Sequence, residues 1–173
     1  MKKFKFLLLD AGPIIKLFQS GLWDIFIEKC DITITRTVAT QAKYASRDFE
    51  DICINLDPYE EQSLIKIIDV GLLAVKQFYE KFDSLHRAGI HDGERETLAF
   101  LFNNSENWRL CAADQAVFKV LGVLGKGNQG ISLEEVLKEI GHQQNLEWQY
   151  TKKFREKYTK MGQADSIQNR GLL

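Results

Sequence analysis

Two short apolar segments, Lys5–Leu9 and Arg109–Ala113, each stop on an aspartate, Asp10 and Asp114, and each is followed at once by helix-forming residues. Compact apolar runs bounded by turn signals read as strands buried on both faces. Asp31–Thr35 (DITIT) adds a third strand, β-branched and alternating. Strands separated by helical stretches argue for a mainly parallel central sheet with helices on both faces, a three-layer α/β/α sandwich with right-handed connections.

The helical stretches follow from their own signals. Pro13 suits a first turn, and Ile14, Ile15, Leu17 and Phe18 continue it toward Trp23, Phe26 and Ile27, with Gly21 as a break point. A short helix is predicted over Val38–Ser46. Asp57-Pro58, with Asp57 as N-cap and Glu60 and Glu61 in the first turn, opens a long predicted helix. Leu64, Ile67, Ile68, Leu72, Val75, Phe78, Tyr79 and Phe82 keep it amphipathic. His91-Asp92-Gly93 is a turn, with Asp92 as cap, before a helix over Glu94–Phe102. Val117, Phe118 and Leu121 mark another helix. The glycine-rich stretch Gly122–Gly130 lacks the Gly-Lys-Ser/Thr ending of a phosphate loop and reads as a turn before a last short strand or helix. Ser132-Leu-Glu-Glu135 has capping-box spacing, and its helix ends at Gly141. Leu146, Tyr150, Phe154, Tyr158 and Met161 recur at helical steps in the tail, which turns polar and frayed from about Gly162.

Length, 173 residues, suits one domain with a sizeable core. The formal net charge of −1 supplies no global basic field, so any nucleic-acid binding must be local or cation-mediated. The three cysteines, Cys30, Cys53 and Cys111, are odd in number, show no CxxC spacing and sit among apolar residues, which points to a reducing compartment. The opening Met1-Lys-Lys and Phe4–Leu9 are too short and too interrupted, by Lys5 and then Asp10, for a secretory leader. No stretch approaches a membrane span. The expected location is cytoplasmic, with no membrane partner.

Ligands of open parallel sheets bind beyond the carboxyl ends of the strands. Asp10 and Asp114 both stand at such ends, and Glu94 lies in the first turn of a helix on the same rim. Clustered carboxylates repel one another, and an all-oxygen set suits Mg²⁺ or Mn²⁺, ions that stabilise charge on a transferring phosphoryl group. Taken singly, each acid is also a good helix cap or first-turn residue.

The segments LLLDAGPIIKL, HDGERETLAFL and RLCAADQAVFKVLGVLG, in that order, resemble the three motifs of PIN-domain nucleases. The resemblance spans about Phe6 to Gly141. It implies a PIN-like domain over 1–142, with 143–173 as a C-terminal helical extension and frayed tail. It implies that Asp10, Glu94 and Asp114 bind Mg²⁺ or Mn²⁺ in a metal-dependent ribonuclease that leaves a 5′-phosphate. It further implies a homodimer and, in a toxin–antitoxin pair, a small antitoxin protein as partner. The chain departs from the family at Gln41, where a further glutamate is usual, and after Asp114, where Gln115, Ala116 and Val117 bring no second acid. A non-enzymatic PIN-like module that binds RNA or protein is therefore the alternative. A haloacid-dehalogenase-type phosphatase requires a second aspartate two residues after the first, a place held by Gly12.

Other candidates carry bland readings beside sharp ones. His86, His91 and His142 have no ligand spacing. Lys16 and Arg36 lie near the proposed mouth, where each suits phosphate or simple solvation. The run Lys152, Lys153, Arg155, Lys157 and Lys160, interleaved with aromatics, suits an RNA face, a docking helix or packing on its own domain.

Overall fold

Leu7, Leu8 and Leu9 are all fully buried. Successive strand side chains point to opposite faces, so this segment must have protein on both sides. The computed structural model, which describes residues 3–47, 50–104 and 107–173, shows how. Leu7 and Leu9 belong to one core cluster with Ile14, Phe26, Ile34 and Val136, whereas Leu8 belongs to a second with Phe82, Leu98, Phe118 and Leu121. Met1 and Lys2, the start of the segment weighed as a leader, lie outside the described residues.

The chain runs β1 (Phe4–Leu9), α1 (Ala11–Gln19), α2 (Trp23–Lys29), β2 (Cys30–Thr35) and α3 (Arg36–Gln41). The hairpin β3 (Tyr44–Arg47) and β4 (Glu50–Cys53) follows, then α4 (Asp57–Glu61), β5 (Ile65–Ile68), α5 (Leu72–Tyr79), α6 (Ser84–Ala88) and α7 (Asp92–Asn103). The last part comprises β6 (Arg109–Cys111), α8 (Gln115–Val123), β7 (Gly130–Ile131), α9 (Leu133–Glu139) and α10 (Lys152–Ile167). The main sheet has the order β5-β2-β1-β6-β7, with every pairing parallel. Helices cover both faces, as the α/β/α reading requires. Among the described residues no helix is long and apolar enough to cross a membrane.

The order of the sheet fixes where ligands can enter. From β1 the chain moves outward on one side through β2 to β5, then returns to β6 on the other side of β1 and moves outward to β7. The direction of winding therefore reverses between β1 and β6. Connections leave a gap at the carboxyl ends of two such strands, the topological switch point.

The long helix predicted from Asp57 is instead helix, strand and helix. The pattern Ile65-Lys66-Ile67 also alternates, and it buries Ile65 and Ile67 while exposing Lys66. Ser63 turns the chain out of α4 with φ 57°, and Gly71 precedes α5. A β-branched run that pairs with β2 gains ladder hydrogen bonds that outweigh its ambiguous spacing. Leu56, not Asp57, occupies the N-cap of α4. The helix predicted over Val38–Ser46 stops at Gln41, and its second half becomes β3 of the hairpin. Gly21, at φ 68°, separates α1 from α2. The glycine-rich stretch becomes the end of α8, a short 3-10 turn over Gly127–Gln129, and then β7.

Ser132 caps α9 as its spacing implies: its Oγ accepts the Glu135 N–H at 3.2 Å, and its own N–H donates to Glu135 Oε2 at 2.9 Å. Arg155 of α10 donates to both oxygens of the same carboxylate, at 2.7 and 2.8 Å. The tail thus packs on the rest of the chain. α10 continues past Gly162 to Ile167, and Leu172 makes a β-bridge with Phe82.

Candidate functional site

β1 and β6 pair through Leu9 and Cys111, and the Asp10 N–H donates to the Cys111 carbonyl at 3.0 Å. Asp10 therefore sits at the switch point itself, as the extended residue before α1. Asp114 reaches the same crevice three residues beyond Cys111, as the N-cap of α8. Its Oδ1 accepts the Ala116 N–H at 2.6 Å. Glu94 enters from the first turn of α7, where its Oε2 accepts the His91 N–H at 2.9 Å. His91, not Asp92, is the N-cap residue of α7, and Asp92 pairs with Arg95 at 3.2 Å.

The structure brings the three predicted acids into one electrostatic neighbourhood. Burial pushes Asp10 up to about 6, and the charge of Asp114 adds to this. Burial pushes Glu94 up to about 7, with both Asp114 and Asp10 contributing. Low local dielectric and like charges both favour the protonated acid. Among the described residues, none of the three acids is in an ion pair; Lys16 is engaged by Glu147 at 2.7 Å and Arg36 by Asp69 at 3.0 Å. The carboxylates are not drawn into one ligand cage: among the described residues, no three His, Cys, Asp or Glu side chains are arranged to hold a metal ion. Glu94 and Asp114 each turn one oxygen toward a backbone N–H. The other oxygen of each remains a hard donor of the kind Mg²⁺ and Mn²⁺ take.

Gln41 lies where the resemblance places a further acid, against the start of α7. A Cβ on Gly93 would overlap Gln41 Oε1 and stand 3.1 Å from Val38 Cγ2, so α3 and α7 touch through glycine at this point. The Gln41 carboxamide therefore lies against Gly93, the residue before Glu94 in the chain, though it brings no charge.

A set of hydroxyls that sequence reasoning missed holds this rim. Thr37 Oγ1 donates to Glu96 Oε1 at 2.7 Å, which ties α3 to α7. Thr97 Oγ1 donates to the Gly93 carbonyl at 2.9 Å and lies 3.4 Å from Oγ1 of Thr35, the last residue of β2. Thr35 ends its strand much as Leu9 and Asp10 end β1, and that position was the available signal.

The remaining candidates fall elsewhere. His142 lies 3.1 Å from Lys29 Nζ, away from the acids. His86 stands between Asp83 and Asp165, at 2.9 and 3.5 Å. Of the tail cations, Arg155 is committed to Glu135 and Lys152 to Glu156. Two larger grooves, of 620 and 530 Å³, open at the amino ends of the strands around Lys3, Lys5 and Arg109, and no member of the acid set lines them. No family model, no curated protein and no solved structure matches the chain.

Proposed function

We propose that the chain is a metal-dependent ribonuclease of PIN type that hydrolyses RNA phosphodiester bonds. One observation carries this reading: three carboxylates from three separate elements share the crevice at the switch point and, among the described residues, no cation is paired to them. Buried like charges are costly, and a site that keeps them has use for a bound cation. The donor set is all oxygen, which fits Mg²⁺ or Mn²⁺ and not zinc. A divalent ion there would neutralise the acids and stabilise charge on the transferring phosphoryl group.

The chain's own residues set the geometry. Asp10 supplies a buried carboxylate, its backbone fixed by the hydrogen bond to the end of β6. The His91 and Ala116 N–H groups hold Glu94 and Asp114 in place while leaving one oxygen of each for a ligand. Under the same reading the cleaved strand leaves with a 5′-phosphate, the partner is a small antitoxin protein, and the active form is a homodimer. Leu72 and Leu73, 86% and 68% exposed on α5, offer an apolar surface for such a partner. Light scattering that returns a monomer mass would remove the dimer.

A second reading, a PIN-like module that binds RNA or protein without cutting, is favoured by Gln41 and by the open arrangement of the acids. One assay separates the two. Labelled single-stranded RNA is incubated with the native chain, Asp114→Asn and Gln41→Glu, in Mg²⁺, Mn²⁺ or EDTA. The expected result is cleavage that requires metal and falls at least ~100-fold in Asp114→Asn, about 2.7 kcal/mol of barrier. Gln41→Glu should cut at lower metal concentration. Equal cleavage by Asp114→Asn, or cleavage in EDTA, sinks the ribonuclease reading. Cleavage by Gln41→Glu alone establishes the binding module.

A further inference from the structure

On one side the acid crevice opens into a groove of 390 Å³ between α6 and α8. Leu85, His86 and Gly89 form one wall; Gln115, Ala116 and Lys119 form the other; His91 and Asp114 stand at the end nearest the acids. A Cβ on Gly89 would lie 3.6 Å from Ala116 Cβ, so the two walls approach through small residues.

The far end is fixed. Asp83 takes His86 Nδ1 at 2.9 Å and, with its other oxygen, the Gly171 N–H at 2.9 Å. Asp165, which lies 3.5 Å from His86 Nε2, is also paired with Arg170 at 3.3 Å. Its charge is therefore compensated. Lys119 differs from these groups: among the described residues it has no carboxylate partner, and its ammonium lies 5.8 Å from the centre of the Tyr158 ring. Leu85, on the facing wall, is 79% exposed.

We propose that this groove seats one nucleotide of a single-stranded RNA beside the scissile phosphodiester, with Lys119 on the adjoining phosphate. The choice of RNA rests on the ribonuclease reading of the acids. The groove falls near the lower end of the volumes of small-ligand sites, roughly 300–1,000 Å³, so it takes one splayed base and excludes a duplex. Leu85, Gly89 and Ala116 give the base an apolar face, and the Gln115 carboxamide and the His91 ring give its edge polar partners. Single strands bind in this manner, with the backbone on a cation and the base on a flat apolar surface.

The test measures binding of a short labelled single-stranded RNA by fluorescence anisotropy in EDTA, where hydrolysis does not follow, across a salt series. Lys119→Gln should weaken binding and lower the slope of log K against log salt by about 0.7, the value of one phosphate contact on a single strand. Ala116→Trp, which fills the groove, should weaken binding with the slope unchanged. Lys138→Gln, exposed on α9, should bind as the native chain does. Thermal melts check that each variant is folded. No binding by the native chain, or native affinity and slope in both groove variants, overturns the proposal. The cleavage assay stands apart from this outcome: groove-dependent binding without metal-dependent cleavage overturns the ribonuclease reading alone, and Asp114-dependent cleavage with groove-independent binding overturns the subsite alone.

Discussion

Gly162→Leu should melt about 10 °C below the native chain in a single transition, while Met161→Leu, one residue away and 42% exposed, should melt within about 2 °C of it. The reason is the crossing of α8 and α10. A Cβ on Gly162 would run into the Lys119 carbonyl, and one on Gly122 would run into the Thr159 carbonyl and stand 3.0 Å from Gly162 Cα. The two backbones touch, and no flexible side-chain end is available to move aside. A leucine at 162 must push the helices apart. That would loosen the Phe118–Phe154 edge contact, at 6.1 Å between ring centres, and the Arg155–Glu135 pair that ties α10 to the cap of α9. Overpacking costs typically about 1–3 kcal/mol, and more where backbone meets backbone. At roughly 2–4 °C per kcal/mol for a chain of this size, the shift is readable by calorimetry. Gly162→Ala should fall between the two variants, because the better helix propensity of alanine, about 1 kcal/mol, offsets part of the clash. If α10 were only an appendage on residues 1–142, Gly162→Leu would instead release it and leave the main melting transition where it was. Limited proteolysis at the native melting onset distinguishes the two outcomes.

The parts of this fold that were legible in the sequence are those where one local signal has one physical meaning. Leu7–Leu9 and Arg109–Cys111 are too short and too apolar to be surface helices, and the aspartates that follow them mark strand ends. The crevice was therefore visible before any coordinates. Ser132 and Glu135 cap a helix because their spacing permits little else. β5 was not legible, because Leu64, Ile67, Ile68 and Leu72 fit a helical face as well as Ile65 and Ile67 fit a strand face; pairing with β2, a contact over some thirty residues, decides between them. The crossing glycines were misread for a related reason. A glycine near a helix end ordinarily signals fraying, and only the partner helix reveals that Gly162 lies where a side chain would meet the α8 backbone. At the site, the three acids were legible through their positions at strand and helix ends. Thr37, Glu96 and Thr97 were not, since their role consists of contacts among the end of β2, α3 and α7 that no spacing in the chain announces.

The acids also set how stability should depend on pH, and the sign is unusual. Between its ordinary value of 4.5 and about 7, the folded chain keeps on Glu94 a proton that the unfolded chain has released; between 3.8 and about 6 the same holds for Asp10. The folded state binds more protons throughout this window, so stability falls as pH rises through it. Asp83 sets the acid side. The His86 N–H and ring hold it down at about 2, so its contribution is complete above 3.8 and is lost as pH falls through about 2. In EDTA the native chain should therefore be most stable near pH 4–5, below the usual optimum of about 5–8. Glu94→Gln keeps an acceptor for the His91 N–H and removes the charge. It should match the native chain at pH 4 and exceed it at pH 8 by about 2 kcal/mol, a figure discounted for water reaching the rim, or roughly 4–8 °C. Saturating Mn²⁺ at pH 8 should narrow this gap, because an ion at 100 times its Kd stabilises the native site by ~2.7 kcal/mol and a site short of one carboxylate by less. A native melting temperature that climbs steadily from pH 5 to 8 in EDTA, with Glu94→Gln no more stable, would mean that the carboxylates do not confront one another. The argument for a cation at the switch point would then lose its premise.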